Sequence, residues 1–130
     1  GAAFGDYDND GDLDIVVVRM NGTPVLLRTD RRDKNHWIML RISGDPSKNR
    51  DGLGTKVRVF TAGLAQVREV KRAGSIYSAS DPRVHFGLGA SAQVEKIEIR
   101  WPDGRTEEFK SIPADQHYTI DRRQGIEKGF

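Results

Sequence analysis

Short apolar runs alternate with polar and turn-forming residues along this chain, and no stretch keeps a helical period over three turns. Ile15–Val18 is a continuous β-branched run, and Val25-Leu26-Leu27 follows it after Met20-Asn21-Gly22-Thr23-Pro24. An Asn-Gly pair between apolar runs predicts a hairpin there. Residues 28–35 are all polar and read as a linker. Trp37–Ile42 is an apolar strand with Arg41 on one face, and Ser43–Gly54, rich in Gly, Pro, Asn and Asp, is a long loop. Lys56–Phe60 alternates cleanly, with Val57 and Val59 inward. In Gln66–Arg72 the apolar positions Val67 and Val70 break the period of two, which predicts a bulge. Val84, Phe86 and Leu88 share one strand face. Ile97, Ile99 and Trp101 share another, and Pro102-Asp103-Gly104 then turns the chain into Thr106–Phe109. Gln116–Ile120 is the last predicted strand.

Many short strands with turn signals between them predict an all-β fold, an antiparallel β-sandwich or barrel-like domain. The pattern sets a hairpin over residues 1–30 apart from a body over 35–121 and leaves 122–130 as a tail. The body is expected to fold without the hairpin.

Composition narrows the function classes. The chain has 130 residues, 36% of them hydrophobic and 31% charged. Ile15–Val18 falls far short of the roughly 20 apolar residues of a membrane helix, so no span is expected. With no cysteine, disulfides, thiolate metal sites and a cysteine nucleophile are excluded. The chain opens on Gly1 rather than Met, so targeting is not read from it. The net charge of +2 hides an asymmetry: residues 1–14 carry five Asp and no base, leaving 21 bases against 14 acids in the rest. The bases are spread singly, as at Arg41, Arg58, Arg68 and Arg100, a weak footprint for nucleic acid.

The acidic segment is Asp6-Tyr7-Asp8-Asn9-Asp10-Gly11-Asp12-Leu13-Asp14. Carboxylates at alternate positions of a tight loop converge on one point and repel one another unless a cation sits there. Hard oxygen ligands select Ca²⁺, and Gly11 permits the sharp turn of the wrap. Asp6, Asp8, Asp10 and Asp14 are the expected side-chain ligands, with Asp12 binding through its backbone carbonyl. The EF-hand comparison fails because its twelfth position is Val17 and a strand follows instead of a helix. The plain alternative is a solvated acidic turn.

Phe4-Gly5-Asp6 followed by this loop resembles the FG-GAP or VCBS-type repeat of integrin-like β-propellers, which implies calcium held between blade strands. From Asn35 onward the chain resembles the ASPIC/UnbV domain, through Asn35-His36-Trp37, Asn49–Gly54, Arg72-Ala73-Gly74-Ser75, Asp81–Gly89 and Trp101-Pro102-Asp103-Gly104. The resemblance implies a secreted, extracellular or periplasmic protein in which this domain follows propeller repeats. Only part of one blade is present, so the chain is expected to be the C-terminal piece of a longer propeller-containing protein.

Other chemistry is thinly supported. His36, His85 and His117 fall on three different predicted strands without zinc-site spacing. His85 lies opposite the Val84/Phe86/Leu88 face and reads as a partly exposed hydrogen-bonding residue. Ser75, Ser78 and Ser80 lack a nucleophile elbow, and Gly87-Leu88-Gly89 lacks the third glycine of a dinucleotide fingerprint. No catalytic residue is expected. The reading is a non-catalytic, calcium-binding adhesion or interaction module with a protein or glycan partner. The alternative is a carbohydrate- or other ligand-binding accessory domain of an enzyme, which would need an exposed aromatic platform such as Tyr77 with Trp37. A third reading is an enzyme whose site is completed by the propeller.

Overall fold

A computed structural model describes residues 1–30, 34–75 and 78–129. In chain order the strands are β1 (Ala2–Gly5), β2 (Asp14–Val17), β3 (Val25–Leu27), β4 (His36–Ser43), β5 (Lys56–Thr61), β6 (Leu64–Glu69), β7 (Ala73–Ser75), β8 (Ser78–Ala79), β9 (Val84–Gly89), β10 (Gln93–Arg100), β11 (Thr106–Pro113), β12 (Gln116–Asp121) and β13 (Gly125–Lys128). No helix occurs among the described residues, and none is long and apolar enough to cross a membrane.

Two four-stranded sheets, β11-β10-β5-β6 and β13-β12-β4-β9, pack face to face as a sandwich that does not close into a barrel. Alternation builds the interior from each sheet. Val57 and Val59 of β5 pair with Ile99 and Ile97 of β10. On the facing sheet Ile38 and Leu40 of β4 pair with Phe86 and Val84 of β9. All eight are buried in one cluster with Ile42, Tyr118 and Ile120. A smaller sheet, β1-β2-β3, holds the expected hairpin, with Val17 opposite Val25 across the Asn21-Gly22 turn.

Three details depart from the sequence pattern. β12 pairs with β4 in parallel, Tyr118 beside Leu40 and Ile120 beside Ile42, so the sandwich is not wholly antiparallel. The β5–β6 register runs unbroken from Thr61–Leu64 to Lys56–Glu69, without the expected bulge. Val70 reaches the core by lying just past the strand, its N–H donating to Thr55 O and its carbonyl accepting from Gly54 N. The segment read as a tail contributes β13, which covers the β12 edge with Ile126 opposite Ile120.

The outer faces of the two sheets differ. That of the first carries an ion-pair network over Phe60: Lys96 Nζ lies 2.5 Å from Glu98 Oε1, and Arg58 pairs with the same carboxylate. On β4, by contrast, Trp37 and Met39 are buried on the side away from the sandwich interior. A strand apolar on both faces must be covered on both.

Trp101, just past β10, is 2% exposed in the core. Its Nε1–H donates to Glu107 Oε1 at 3.2 Å, and the Arg122 guanidinium stacks over its ring. Trp101→Ala should therefore lower stability by about 3–5 kcal/mol, as for large aromatics cut from a core. Urea denaturation midpoints measure this, and an unchanged midpoint would place the indole outside the core.

Candidate metal centre

The Asp-rich segment is the connection between β1 and β2, whose last pair is Gly5 with Asp14. Asp6 therefore leaves one strand where Asp14 opens the other, and the two carboxylates meet at the neck of the loop. Asp6 Oδ1 accepts the Asp10 N–H and its Oδ2 the Gly11 N–H, which curls the backbone around that carboxylate. Asp14 Oδ2 accepts the Tyr7 N–H at 3.1 Å, and its Oδ1 accepts the Thr29 N–H at 2.8 Å. The curl requires left-handed backbone at Asn9 (φ 60°) and Gly11 (φ 93°).

Asp6, Asp8 and Asp14 each present a carboxylate oxygen within 4.8 Å of the others. That span is no more than twice a Ca–O bond of about 2.4 Å, so one ion can reach all three oxygens. The donor set is wholly oxygen, which suits a hard cation. Asp6 and Asp14 are buried while Asp8 is exposed, so the group opens to solvent on one side. Asp10 and Asp12 stand outside this group: the Asp10 carboxylate accepts the Asp12 N–H at 2.9 Å. Arg28 Nε lies 3.5 Å from Asp8, and the guanidinium is held above its ordinary pKa by its hydrogen bond and Coulombic attraction to Asp30, with Asp8 adding.

The loop covers the apolar outer face of β4. Register places His85 and His117 on either side of Met39, and both rings contact Trp37, at centroid distances of 6.3 and 4.9 Å. Gly11 lies against the Trp37 indole so closely that a Cβ there would come within 2.0 Å of its Cε2. His85 Nε2–H donates to Gly11 O at 2.9 Å, and His117 Nε2 stands 3.6 Å from Asp6 Oδ2. Arg83 donates to Asp6 O and to Asn9 Oδ1, both at 2.7 Å, while Asp81 holds its Nε at 2.6 Å. The edge strand β1 is tied down as well, with Phe4 O accepting from Asp81 N and Ser80 Oγ accepting from Phe4 N. The hairpin that the pattern set apart is thus packed on the sandwich.

These contacts reassign several residues. His85 is the hydrogen-bonding residue expected from its strand face, with a loop carbonyl as its acceptor. His36 pairs instead with Asp115, 2.6 Å away just before β12, and among the described residues the three histidines form no metal cluster. Trp37 is 9% exposed beneath the loop and offers no open aromatic platform, and Tyr77 lies outside the described residues. Arg83 and His117 were not legible as loop contacts. The one signal was the Asp81-Pro82-Arg83-Val84-His85 run, in which strand alternation turns Arg83 and His85 to the same side.

A family described as ASPIC and UnbV matches residues 44–127. Cartilage acidic protein 1 of Xenopus tropicalis is 29% identical over 109 residues, covering 81% of this chain and 16% of the relative. The proteins of the same name from Mus musculus and Homo sapiens are each 28% identical over the same length. The matched stretch spans 16% of these curated relatives.

Gly11→Ala tests the seat of the loop. The substitution drives a methyl to within 2.0 Å of the Trp37 ring and demands a left-handed alanine, itself unfavourable by about 1–2 kcal/mol. We expect the loop to lift from β4, the denaturation midpoint to fall by more than that strain, and Trp37 emission to shift red. An unchanged midpoint and spectrum would mean that the loop stands clear of the indole.

Proposed function

As the chain belongs to the ASPIC and UnbV family, we propose that it is a non-catalytic, calcium-binding module of an extracytoplasmic protein, working in adhesion or interaction. In this reading its first 30 residues end an FG-GAP/VCBS-type repeat, and a propeller of the same chain stands upstream. The observation that carries the metal is the convergence of Asp6, Asp8 and Asp14, two of them buried. At 4.8 Å and an effective dielectric of 20, each pair of these charges repels by about 3.5 kcal/mol. A dication turns that repulsion into attraction, and Asp10 and Asp12 complete the acidic wrap around it.

The hairpin sheet supports the propeller assignment. Phe4, Val16, Leu26 and Leu27 are exposed, with Phe4 and Leu27 on one face and Val16 and Leu26 on the other. A sheet apolar on both faces belongs between neighbouring layers. The cartilage in the relatives' name supports an extracellular setting. The non-catalytic reading rests on the sequence, which offers no nucleophile elbow and no nucleophile–base pair at motif spacing. The partner is a protein or a glycan.

Calcium titration tests this reading. The intact chain should bind one Ca²⁺ and gain about 2.7 kcal/mol of stability at a free concentration one hundred times the Kd. Asp14→Asn should weaken binding by on the order of 3–5 kcal/mol, as for breaking a buried ion pair, and more than Asp10→Asn does. The absence of both a heat of binding and a rise in melting temperature on adding calcium would refute the proposal.

A further inference from the structure

Beside the Asp loop lies an open polar cleft of about 450 Å³ lined by Asn9, Arg41, Asp51, Arg72, Asp81 and Arg83. Its residues come from five separate parts of the chain: the Asp loop, the outer face of β4, the long loop after β4, the segment after β6 and the approach to β9. Three of the sequence segments singled out above, Asn49–Gly54, Arg72–Ser75 and Asp81–Gly89, meet here. The volume lies within the range of small-molecule sites.

The charges are unequal in a telling way. Arg72 donates to Asp51 Oδ2 at 2.8 Å, and Arg83 is held by Asp81. Arg41 is exposed and has no hydrogen-bond or ion-pair partner among the described residues. Among the lining side chains three guanidiniums stand against two carboxylates, an excess of one positive charge that matches a monoanion. A phosphate dianion would be repelled by Asp51 and Asp81. A carboxylate fits the planar donor fork of arginine. Among the described residues Asp51 Oδ1 is engaged only by Arg50 Nε at 3.5 Å, too far for a full hydrogen bond, so the cleft also keeps an acceptor for a hydroxyl donor.

We propose that this cleft binds the carboxylate of a sugar acid, with Arg41 as the anion-recognising residue and Asp51 receiving a hydroxyl. Arg72 and Arg83 fix the walls, each oriented by its own aspartate. Asn9 brings the edge of the Asp loop to the same site, so the loop must be seated for the cleft to be complete. Recognition is through charge and hydroxyl geometry, which accords with the burial of Trp37. The proposal is independent of the metal assignment.

Sodium glucuronate is the probe, followed by amide and arginine side-chain NMR shifts of the full chain at constant ionic strength. We expect saturable shifts at Asn9, Arg41 and Arg83. Arg41→Gln, which removes no hydrogen bond or ion pair to a described residue and should leave the melting temperature unchanged, is expected to weaken binding at least tenfold. Arg100→Gln on the opposite sheet should bind as the parent does. Methyl glucoside, lacking the carboxylate, and acetate, lacking the hydroxyls, should each bind at least tenfold more weakly than glucuronate. The proposal is overturned by an absence of saturable shifts or by equal affinity in the Arg41→Gln variant. Acetate or methyl glucoside binding as well as glucuronate would equally overturn it.

Discussion

Trp37 can be buried only because residue 11 has no side chain, and much of the structure depends on that contact. β4 is the strand on which the second sheet is centred, and it is apolar on both sides. One side meets the opposing sheet. The other, carrying Trp37 and Met39, is covered by an eight-residue connection rather than by a third layer of regular structure. Such a cover buries backbone polar groups, and those groups need partners. His85 supplies one to Gly11 O and Arg83 another to Asp6 O. The packing of the sandwich and the conformation of the acidic loop therefore share atoms.

The same contacts resolve the charge asymmetry of the chain. An acidic end of five aspartates sits on a basic body, and the bases that meet it do so at defined points. Arg28 faces Asp8, whereas Arg83 binds the loop through neutral acceptors, Asp6 O and Asn9 Oδ1, with its charge answered by Asp81. Asp6 and Asp14 spend several of their lone pairs on backbone N–H groups. These hydrogen bonds shape the loop, but they leave the carboxylate charges close together, which is the condition a bound cation would relieve.

Two mechanical consequences follow for the module. Its hairpin is fixed to the sandwich along β1 and the loop, so a displacement of one is transmitted to the other through Trp37, Arg83 and Asp81. The cleft lined by Arg41 and Asp51 lies at this junction, with Asn9 contributed by the loop and Arg83 by the sandwich. A ligand there would touch both units. Binding at a junction of this kind favours the docked arrangement by as much as its affinity differs between docked and undocked states.

By itself the sequence determined most strands of the two large sheets, the Asn21-Gly22 hairpin, the inward faces of β5, β9 and β10, and the gathering of five aspartates in one short segment. These are local properties: a period of two, a turn dipeptide, and carboxylates spaced along a few residues. Tertiary structure alone decided that β12 runs parallel to β4, that Val70 turns inward without a bulge, and that residues 125–128 close a sheet edge. It alone decided, too, that the loop rests on Trp37 and draws Arg83, His85 and His117 around it. Those outcomes join residues some 25 to 110 positions apart in the chain. A pattern with a period of two shows that the second face of β4 is apolar. What covers that face is settled only when the chain has closed in space.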